Sequence, residues 1–420
     1  MKVLIIAQYF PPDMGGGATR AYNVAKGLKL NGCQVTVIAA FPHYPNGNVP
    51  EKYRWKPFVL ENFQGLRVIR TFVPPLASSG LAKRLVLFLS FIVSALWAFP
   101  FVREVDVVWA ANPNVLSIFP ALFYGFVKGR SVALNVDDLW PEELHSTGFV
   151  NADSFIFKLM RFVARFAYSK AMLITPISPG YGEVICNDYG VDERKVHVVW
   201  AGVDLDTFRV DSERPDLDDE VFKVVYSGAF SVAYDFDQVL LAAKKLEDVD
   251  KIEFVLQGGG EFIEYVKSKV KRLKLANVRV IDKIYSRAKV AKLLSEADVL
   301  ILPLRDFGKP YLGISSKLYE YQAAGKPIIC CAYGQPAEYV KETCSGIVVK
   351  PGDFEGLVRA VLFLKQNPEY ARRMGLSGRR YVEEHLSIQA IGLELKRVLE
   401  AKCKSKWQSK LETDSDVPQS

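Results

Sequence analysis

The segment GISSKLYEYQAAGKP, residues 313–327, combines residue types that suit a phosphate and a sugar diol. Gly313 opens a loop, Ser315 or Ser316 can cap a helix, and Glu320 stands on that helix's first turns. A helix start offers backbone N–H groups and the positive end of a dipole, which together hold phosphate. A carboxylate one turn further in can accept hydrogen bonds from a pair of hydroxyls, as a nucleotide ribose presents. The plain alternative is a serine cap on an ordinary helix.

Three other stretches carry candidate chemistry. QYFPPDMGGGATR, residues 8–20, follows the first apolar run; Gly15, Gly16 and Gly17 permit close approach of a ligand, and Thr19 can cap the next helix. A flexible surface turn is the alternative. The spacing is not G-x-G-x-x-G and no acidic residue ends the second strand, so a dinucleotide cofactor is not expected. NVDDLWPEE, residues 135–143, ends a buried run and sets Asp137 and Asp138 where a carboxylate could orient or deprotonate a hydroxyl, or simply cap a helix. His43 sits in a Phe-Pro-His-Tyr-Pro loop on the same side. The pairs Asp204/Asp206, Asp216/Asp218 and Asp235/Asp237 have a spacing that can hold a divalent ion on a diphosphate, but such pairs arise readily by chance and no metal is expected.

The elements that position these residues alternate. Apolar strands are expected at 3–7, 34–40, 68–72, 106–110, 131–136, 171–176 and 196–199, with helices at 19–30, 81–99 and 154–167. The pattern restarts with strands at 223–226, 252–257, 278–281, 299–302, 327–330 and 347–349 and helices at 237–246, 261–273 and 287–296. Strands alternating with helices build parallel sheets. A chain of 420 residues exceeds one ordinary core. The polar, acidic, proline-broken segment 210–220 reads as a linker. The fold class is therefore α/β, two Rossmann-like domains over 1–209 and 221–400, facing each other across a central cleft, with a polar tail from 401. Ligands in such sheets bind beyond the carboxyl ends of the strands.

A net charge of +7 over this length does not call for nucleic acid. Six cysteines without C-x-x-C spacing read as reduced thiols of a cytoplasmic protein, and no signal peptide is expected. The run Leu85–Val102 is uncharged and long enough to raise a membrane span. A span would part residues 106–110 from the sheet begun by 3–7, so a buried helix and a helix dipping into one leaflet both stay open. Phe155–Tyr168 places Phe155, Leu159, Phe162 and Phe166 on one stripe near Lys158, Arg161 and Arg165. That pattern suits an anionic lipid surface or an ordinary core-facing stripe.

Taken together, FPPDMGGGATR, NVDDLWPEELHSTG, WAGVDLDTF, LQGGGE, ADVLILPLRD and SSKLYEYQAAGKPII stand in the order that resembles glycosyltransferase family 4, the retaining GT-B group, closest to polysaccharide and glycan-assembly members. The resemblance spans nearly the whole chain. It implies transfer of a sugar from a nucleotide-sugar to a glycan or polyprenyl-linked acceptor, with no cofactor or metal, by a protein peripheral to the inner face of the cell membrane. It implies Glu320 on the donor ribose, backbone N–H groups of Gly313, Ser315 and Ser316 on the diphosphate, Gly16 and Gly17 beside phosphates or acceptor, Asp138 near the transferred sugar, and His43 and Asp137 on the acceptor side. Two positions depart from the family. Its first glutamate, eight residues before Glu320, is here Leu312, and the basic pair after the second domain's first strand is missing from SGAFSVAYDFD, residues 227–237. Lys317 or Arg305 is expected to supply that charge. A sugar-nucleotide epimerase of the same fold and a non-catalytic membrane-associated binding protein are the competing readings.

Overall fold

Runs of valine, isoleucine and leucine that leave no polar face become strands covered on both sides. In the computed structural model they build two parallel sheets, described over residues 1–13, 15–44, 46–77, 80–111, 115–146, 150–208, 221–249 and 251–415. The chain divides into one unit of Met1–Ala201 with Ile388–Ser420 and another of Gly202–Ser387.

The first unit contains β1 (Lys2–Ile6), α1 (Gly16–Leu30), β2 (Gln34–Ala40), β3 (Phe58–Phe63), β4 (Leu66–Thr71), α2 (Leu81–Leu96), β5 (Val107–Ala110), α3 (Ile118–Lys128), β6 (Ser131–Val136), α4 (Glu142–Ser146), α5 (Phe155–Lys170), β7 (Leu173–Pro176) and α6 (Pro179–Asn187). Its strand order is β3-β4-β2-β1-β5-β6-β7. All neighbours are parallel except β3, which pairs antiparallel with β4 as a hairpin. The order reverses between β1 and β5, so the loop after β1 emerges at a switch point.

The second unit contains β8 (Phe222–Ala229), α7 (Phe236–Lys245), β9 (Ile252–Gly259), α8 (Ile263–Leu273), β10 (Val278–Asp282), α9 (Arg287–Ser295), β11 (Val299–Pro303), α10 (Ser316–Ala323), β12 (Ile328–Cys331), α11 (Gln335–Glu342), β13 (Gly346–Val349), α12 (Phe354–Gln366) and α13 (Pro368–His385). The sheet is parallel throughout, in the order β10-β9-β8-β11-β12-β13, and reverses between β8 and β11. Val299 and Leu300 pair with Val224 and Val225 across that point.

The last helix, α14 (Ile388–Ser415), belongs to the first unit. It crosses α1 at a pair of glycines: a Cβ on Gly392 would lie 2.1 Å from the backbone carbon of Gly27. That contact brings Ile391, Leu395 and Leu399 into the core with Val24, Leu28 and Val3. Full burial of each leucine contributes about 1.5–3 kcal/mol.

These bounds amend the expected domain limits of 209, 221 and 400. Residues 388–400 pack on the first unit because Gly27 and Gly392 admit the helix there, and α14 continues through the expected tail to Ser415. The expected linker 210–220, with Asp216/Asp218, lies outside the described residues. The expected strand 196–199 reduces to a single bridge between Ile174 and Val196. The expected helix 81–99 ends at Leu96, before a short 3-10 turn at Phe99–Phe101 that contains Pro100. β3, α3 and α6 were not expected.

Candidate active site

In the second unit the expected phosphate-and-ribose residues gather at the β8/β11 switch. Ser315 caps α10, its side chain accepting from the Lys317 backbone N–H at 3.4 Å. The helix is fixed from behind by buried polar residues. Tyr321 Oη accepts from Ser227 N–H at 3.3 Å, and Gln322 Nε2 donates to Thr343 and Ser345 hydroxyls, each at 3.0 Å. With that face held, Lys317 and Glu320, one turn apart, project from the same side.

Lys317 reaches back over β8. Its Nζ donates to the Tyr234 hydroxyl at 2.7 Å and stands 4.8 Å from that ring's centre. Its Cε passes so close to Gly228 that a Cβ there would lie 2.0 Å away; Gly228 also takes φ of +153°. The missing side chain is thus the space in which Lys317 lies, in the SGAFSVAYDFD stretch. Arg305, after β11, donates to the Tyr234 carbonyl at 3.4 Å and lies over the Phe262 ring. Glu320 Oε1 is 3.2 Å from Arg287 at the start of α9, and Arg287 also covers the Phe208 ring. Gly258, near the end of β9, and Gly260, just after it, pack against the backbone of Gly228 and Phe230 where no side chain fits.

In the first unit the loops after β1, β2 and β6 converge. Asp13 accepts from the backbone N–H of His43 at 2.8 Å and of Tyr44 at 2.9 Å, tying the first two loops together. Buried Arg70 donates to the Phe10 and Ala40 carbonyls and pairs with Glu61 at 2.7 Å, so the Phe-Pro-Pro turn rests on a fixed cation. These braces surround a cavity of about 260 Å³ lined by Tyr9, Gly15, Gly16, Gly17, Ala18, Tyr44, Arg84, Phe88, Asp138 and Trp140. Asp138 is half-buried; desolvation pushes it up to about 6, and the Arg84 guanidinium opposes that rise. Asp137 turns away, accepting from Asn135 Nδ2 at 2.7 Å and lying 3.2 Å from Arg20 Nε. Burial nevertheless pushes it up to about 7.

Residues 14–207 match the family described as Glycosyltransferase Family 4, and residues 208–381 match Glycosyl transferases group 1. The chain belongs to glycosyltransferase family 4. It is 22% identical over 366 residues to an uncharacterized glycosyltransferase of Methanocaldococcus jannaschii, covering 84% of this chain and 85% of that protein. Sucrose-phosphate synthase from Thermosynechococcus elongatus shares the fold with a TM-score of 0.76 at 17% identity, over 96% of this chain and 98% of that one. Anabaena HepE in complex with UDP does so with a TM-score of 0.68 at 14% identity, over 96% and 100%. The protein is accordingly a GT-B glycosyltransferase, an enzyme that transfers a sugar, built from two Rossmann-like domains.

Within this family 4 chain the expected residues separate by unit. Gly16, Gly17 and Asp138 share the first unit's cavity. Gly313, Ser315, Ser316, Lys317, Glu320 and Arg305 lie on the β11–α10 segment. The two expected acceptor-side residues do not line that cavity. His43 is 2% exposed, stacks on Tyr9, and its Nδ1 lies 2.7 Å from the Phe41 carbonyl, so it holds the loop from beneath and does not line the cavity. Asp137 is buried against Arg20. Asp204/Asp206 and Asp235/Asp237 serve locally: Asp204 accepts from the Asp206 N–H, Asp235 caps α7, and Asp237 pairs with Lys269 at 2.6 Å.

The two apolar helices also resolve. α2 buries Leu87, Phe88, Phe91 and Ala95 and exposes Leu85, Val86, Leu89 and Val93, with Trp97 exposed just after it. α5 buries Phe157, Ala164, Ala167 and Tyr168, whereas the expected stripe of Phe155, Leu159 and Phe162 faces outward, 78% exposed at Phe155 and 69% at Phe162. Three of the four stripe residues thus face away from the core, while Phe166 is half-buried and stacks on Phe119. Among the described residues no helix is long and apolar enough to cross a membrane.

Sequence reasoning missed Arg84, Phe88, Tyr9, Tyr44 and Trp140 at the cavity and Arg287 and Tyr234 beside α10. Arg287 directly follows a serine that caps α9, a position that aims it toward the carboxyl edge of the sheet. That cap was a usable signal.

Proposed function

We propose that this glycosyltransferase moves a sugar, with retention of anomeric configuration, from a nucleotide-sugar to a glycan or lipid-linked acceptor in cell-surface polysaccharide or glycoconjugate assembly. The observation that carries the reading is the placement of Lys317 and Glu320 on one face of α10 at the β8/β11 reversal. A nucleotide bound there would set its ribose hydroxyls on Glu320 and its diphosphate near Lys317 and the first N–H groups of α10. HepE, which shares this fold, has been crystallised with UDP and with UDP-glucose.

The chemistry follows from charge. As the glycosidic bond breaks, its electron pair adds one further negative charge to the departing diphosphate. Fixed donors aimed at that charge lower the barrier without reorganising, and removing one such donor commonly costs about 3–4 kcal/mol. Lys317, seated by Tyr234, is such a donor; Arg305 approaches from the neighbouring loop. The acceptor hydroxyl attacks on the face that the diphosphate leaves, with no protein nucleophile, and its proton passes to the leaving phosphate. Asp138, in the first unit, orients the acceptor. No metal is assigned a role. The exposed apolar faces of α2 and α5 support a peripheral position on the inner face of the cell membrane.

The test is a panel of nucleotide-sugars offered with and without a lipid-linked sugar acceptor, in EDTA, with product configuration read by NMR. Acceptor-dependent product of retained configuration is expected. A new epimer formed from donor alone would replace the reading with the epimerase, and loss of activity in EDTA restored by Mn²⁺ would overturn the metal-free mechanism.

A further inference from the structure

Helix α2 serves two environments at once. Arg84 and Phe88, one turn apart, line the cavity that holds Asp138. Beside them Leu85, Leu89 and Val93 stand exposed on the same helix. A molecule with its anionic head at Arg84 would find an apolar track along the helix that carries that arginine. A soluble sugar would have no use for such a track.

The apolar surface does not end with α2. Phe119 of α3 lies 6.0 Å from Phe166 of α5, ring on ring, and Phe126 near the end of α3 is 88% exposed. α2 carries Lys83 and Arg84, α3 carries Lys128, and α5 carries Lys158, Arg161, Arg165 and Lys170; none of the three contains Asp or Glu. Outward phenylalanines and leucines mixed with charge of a single, positive sign match an anionic lipid surface.

We propose that the first unit's cavity recognises the phosphate of a membrane-held, prenyl-phosphate-linked sugar through Arg84, with the prenyl chain lying along the exposed side of α2. This rests on the lipid-linked acceptor of the proposed function and assigns its specificity to a residue. The cavity, about 260 Å³, is smaller than the ~300–1,000 Å³ usual for drug-sized ligands, a size that suits one sugar-sized group. Phe88 and Trp140, 6.0 Å apart, give that sugar an apolar wall, and Asp138 gives its hydroxyl a carboxylate.

A phosphate anion also comes with the donor and with lipid headgroups, so the experiment separates the three. The full-length protein is titrated with farnesyl phosphate and with farnesol while Trp140 fluorescence is followed, Trp140→Phe confirming the source of the signal. Nucleoside diphosphate affinity is measured by calorimetry and membrane binding by sedimentation with phosphatidylglycerol vesicles. Farnesyl phosphate is expected to bind at least tenfold tighter than farnesol. Arg84→Gln should erase that preference and leave the other two affinities within twofold. Equal binding of farnesol and farnesyl phosphate by the unaltered protein overturns the proposal. Loss of nucleoside diphosphate binding in Arg84→Gln would move Arg84 to the donor, and loss of vesicle binding would move it to headgroups; either overturns it as well. Because lipid phosphate is titrated without donor, failure of sugar transfer to a lipid-linked acceptor, which sinks the proposed function, is read separately.

Discussion

Replacing Lys317 by methionine tests the donor reading where it is most exposed to error. Methionine keeps the length and apolar stem of lysine and removes only the ammonium, so the space over Gly228 stays filled. The ammonium donates one hydrogen bond to Tyr234 at 2.7 Å, and in the proposed function it also serves the diphosphate. A hydrogen bond to a charged group contributes about 1.5–3 kcal/mol, and about 2 kcal/mol corresponds to roughly thirtyfold in affinity. The loss should fall on phosphates alone. Calorimetry with a nucleoside diphosphate and the matching free nucleoside isolates it: the diphosphate should weaken about thirtyfold and the nucleoside should stay within twofold. Gly228→Ala supplies an independent route to the same defect. The added methyl would lie 2.0 Å from Lys317 Cε, and the backbone there holds φ of +153°, so the lysine must leave its seat. Both variants should lose the same preference. A diphosphate-to-nucleoside ratio unchanged in Lys317→Met would refute the assignment of this cation to the leaving group.

Three further outcomes follow. Glu320→Gln should weaken nucleoside diphosphate binding roughly tenfold and leave the thermal midpoint nearly unchanged, because its partly exposed pair with Arg287 adds only about 0–1 kcal/mol to the fold; calorimetry beside a melting curve checks both halves. Gly392→Ala pushes a methyl into the backbone of Gly27, an overpacking that costs about 1–3 kcal/mol and should lower the first unit's melting temperature by roughly 3–10 °C in differential scanning calorimetry. Asp138→Asn should raise the melting temperature clearly more at pH 7.5 than at pH 4.5, while transfer falls. The folded pKa of Asp138 is raised to about 6, so the stability linked to its proton is full below about 3.9 and lost as pH rises through 6; asparagine removes a cost that grows as pH rises from about 3.9 to about 6. An equal change at both pH values would show that Asp138 titrates as an ordinary surface carboxylate.

Strands and helices were legible where period and length agree. Gln34–Ala40 and Ser131–Val136 stand at their expected bounds because each is an apolar run closed by loop residues. β3 was missed because FVLENF carries two polar residues and pairs only through a hairpin turn, Gln64–Gly65, both at positive φ. The end of the second unit was misjudged because nothing in α14 read alone says which sheet it will cover. That choice is made by Gly27 and Gly392, more than three hundred residues apart, whose missing side chains matter only once the two helices touch. The candidate site divides in the same way. Glu320 and Lys317 were legible from a local loop-to-helix pattern, whereas Arg84 was hidden in a membrane-like run and read as its flank.

The most instructive difference lies in α5. A stripe of Phe155, Leu159 and Phe162 has the same helical period whether it faces a core or a solvent, because periodicity reports that one side differs and not what covers it. What separates the two cases is the opposite side. Ala164 and Ala167 are buried, with Phe157 and Tyr168, and small residues there let the helix sit close to the sheet. Phe155 and Phe162 are left outward, where they add nothing to the core. Exposed Phe155 and Phe162 beside lysines and arginines, with no acidic residue on the helix, are what the proposed contact with an anionic surface rests on. Phe162→Glu with Phe155→Glu should then release the protein from phosphatidylglycerol vesicles while its melting temperature holds; a fall in stability instead would return the stripe to the core.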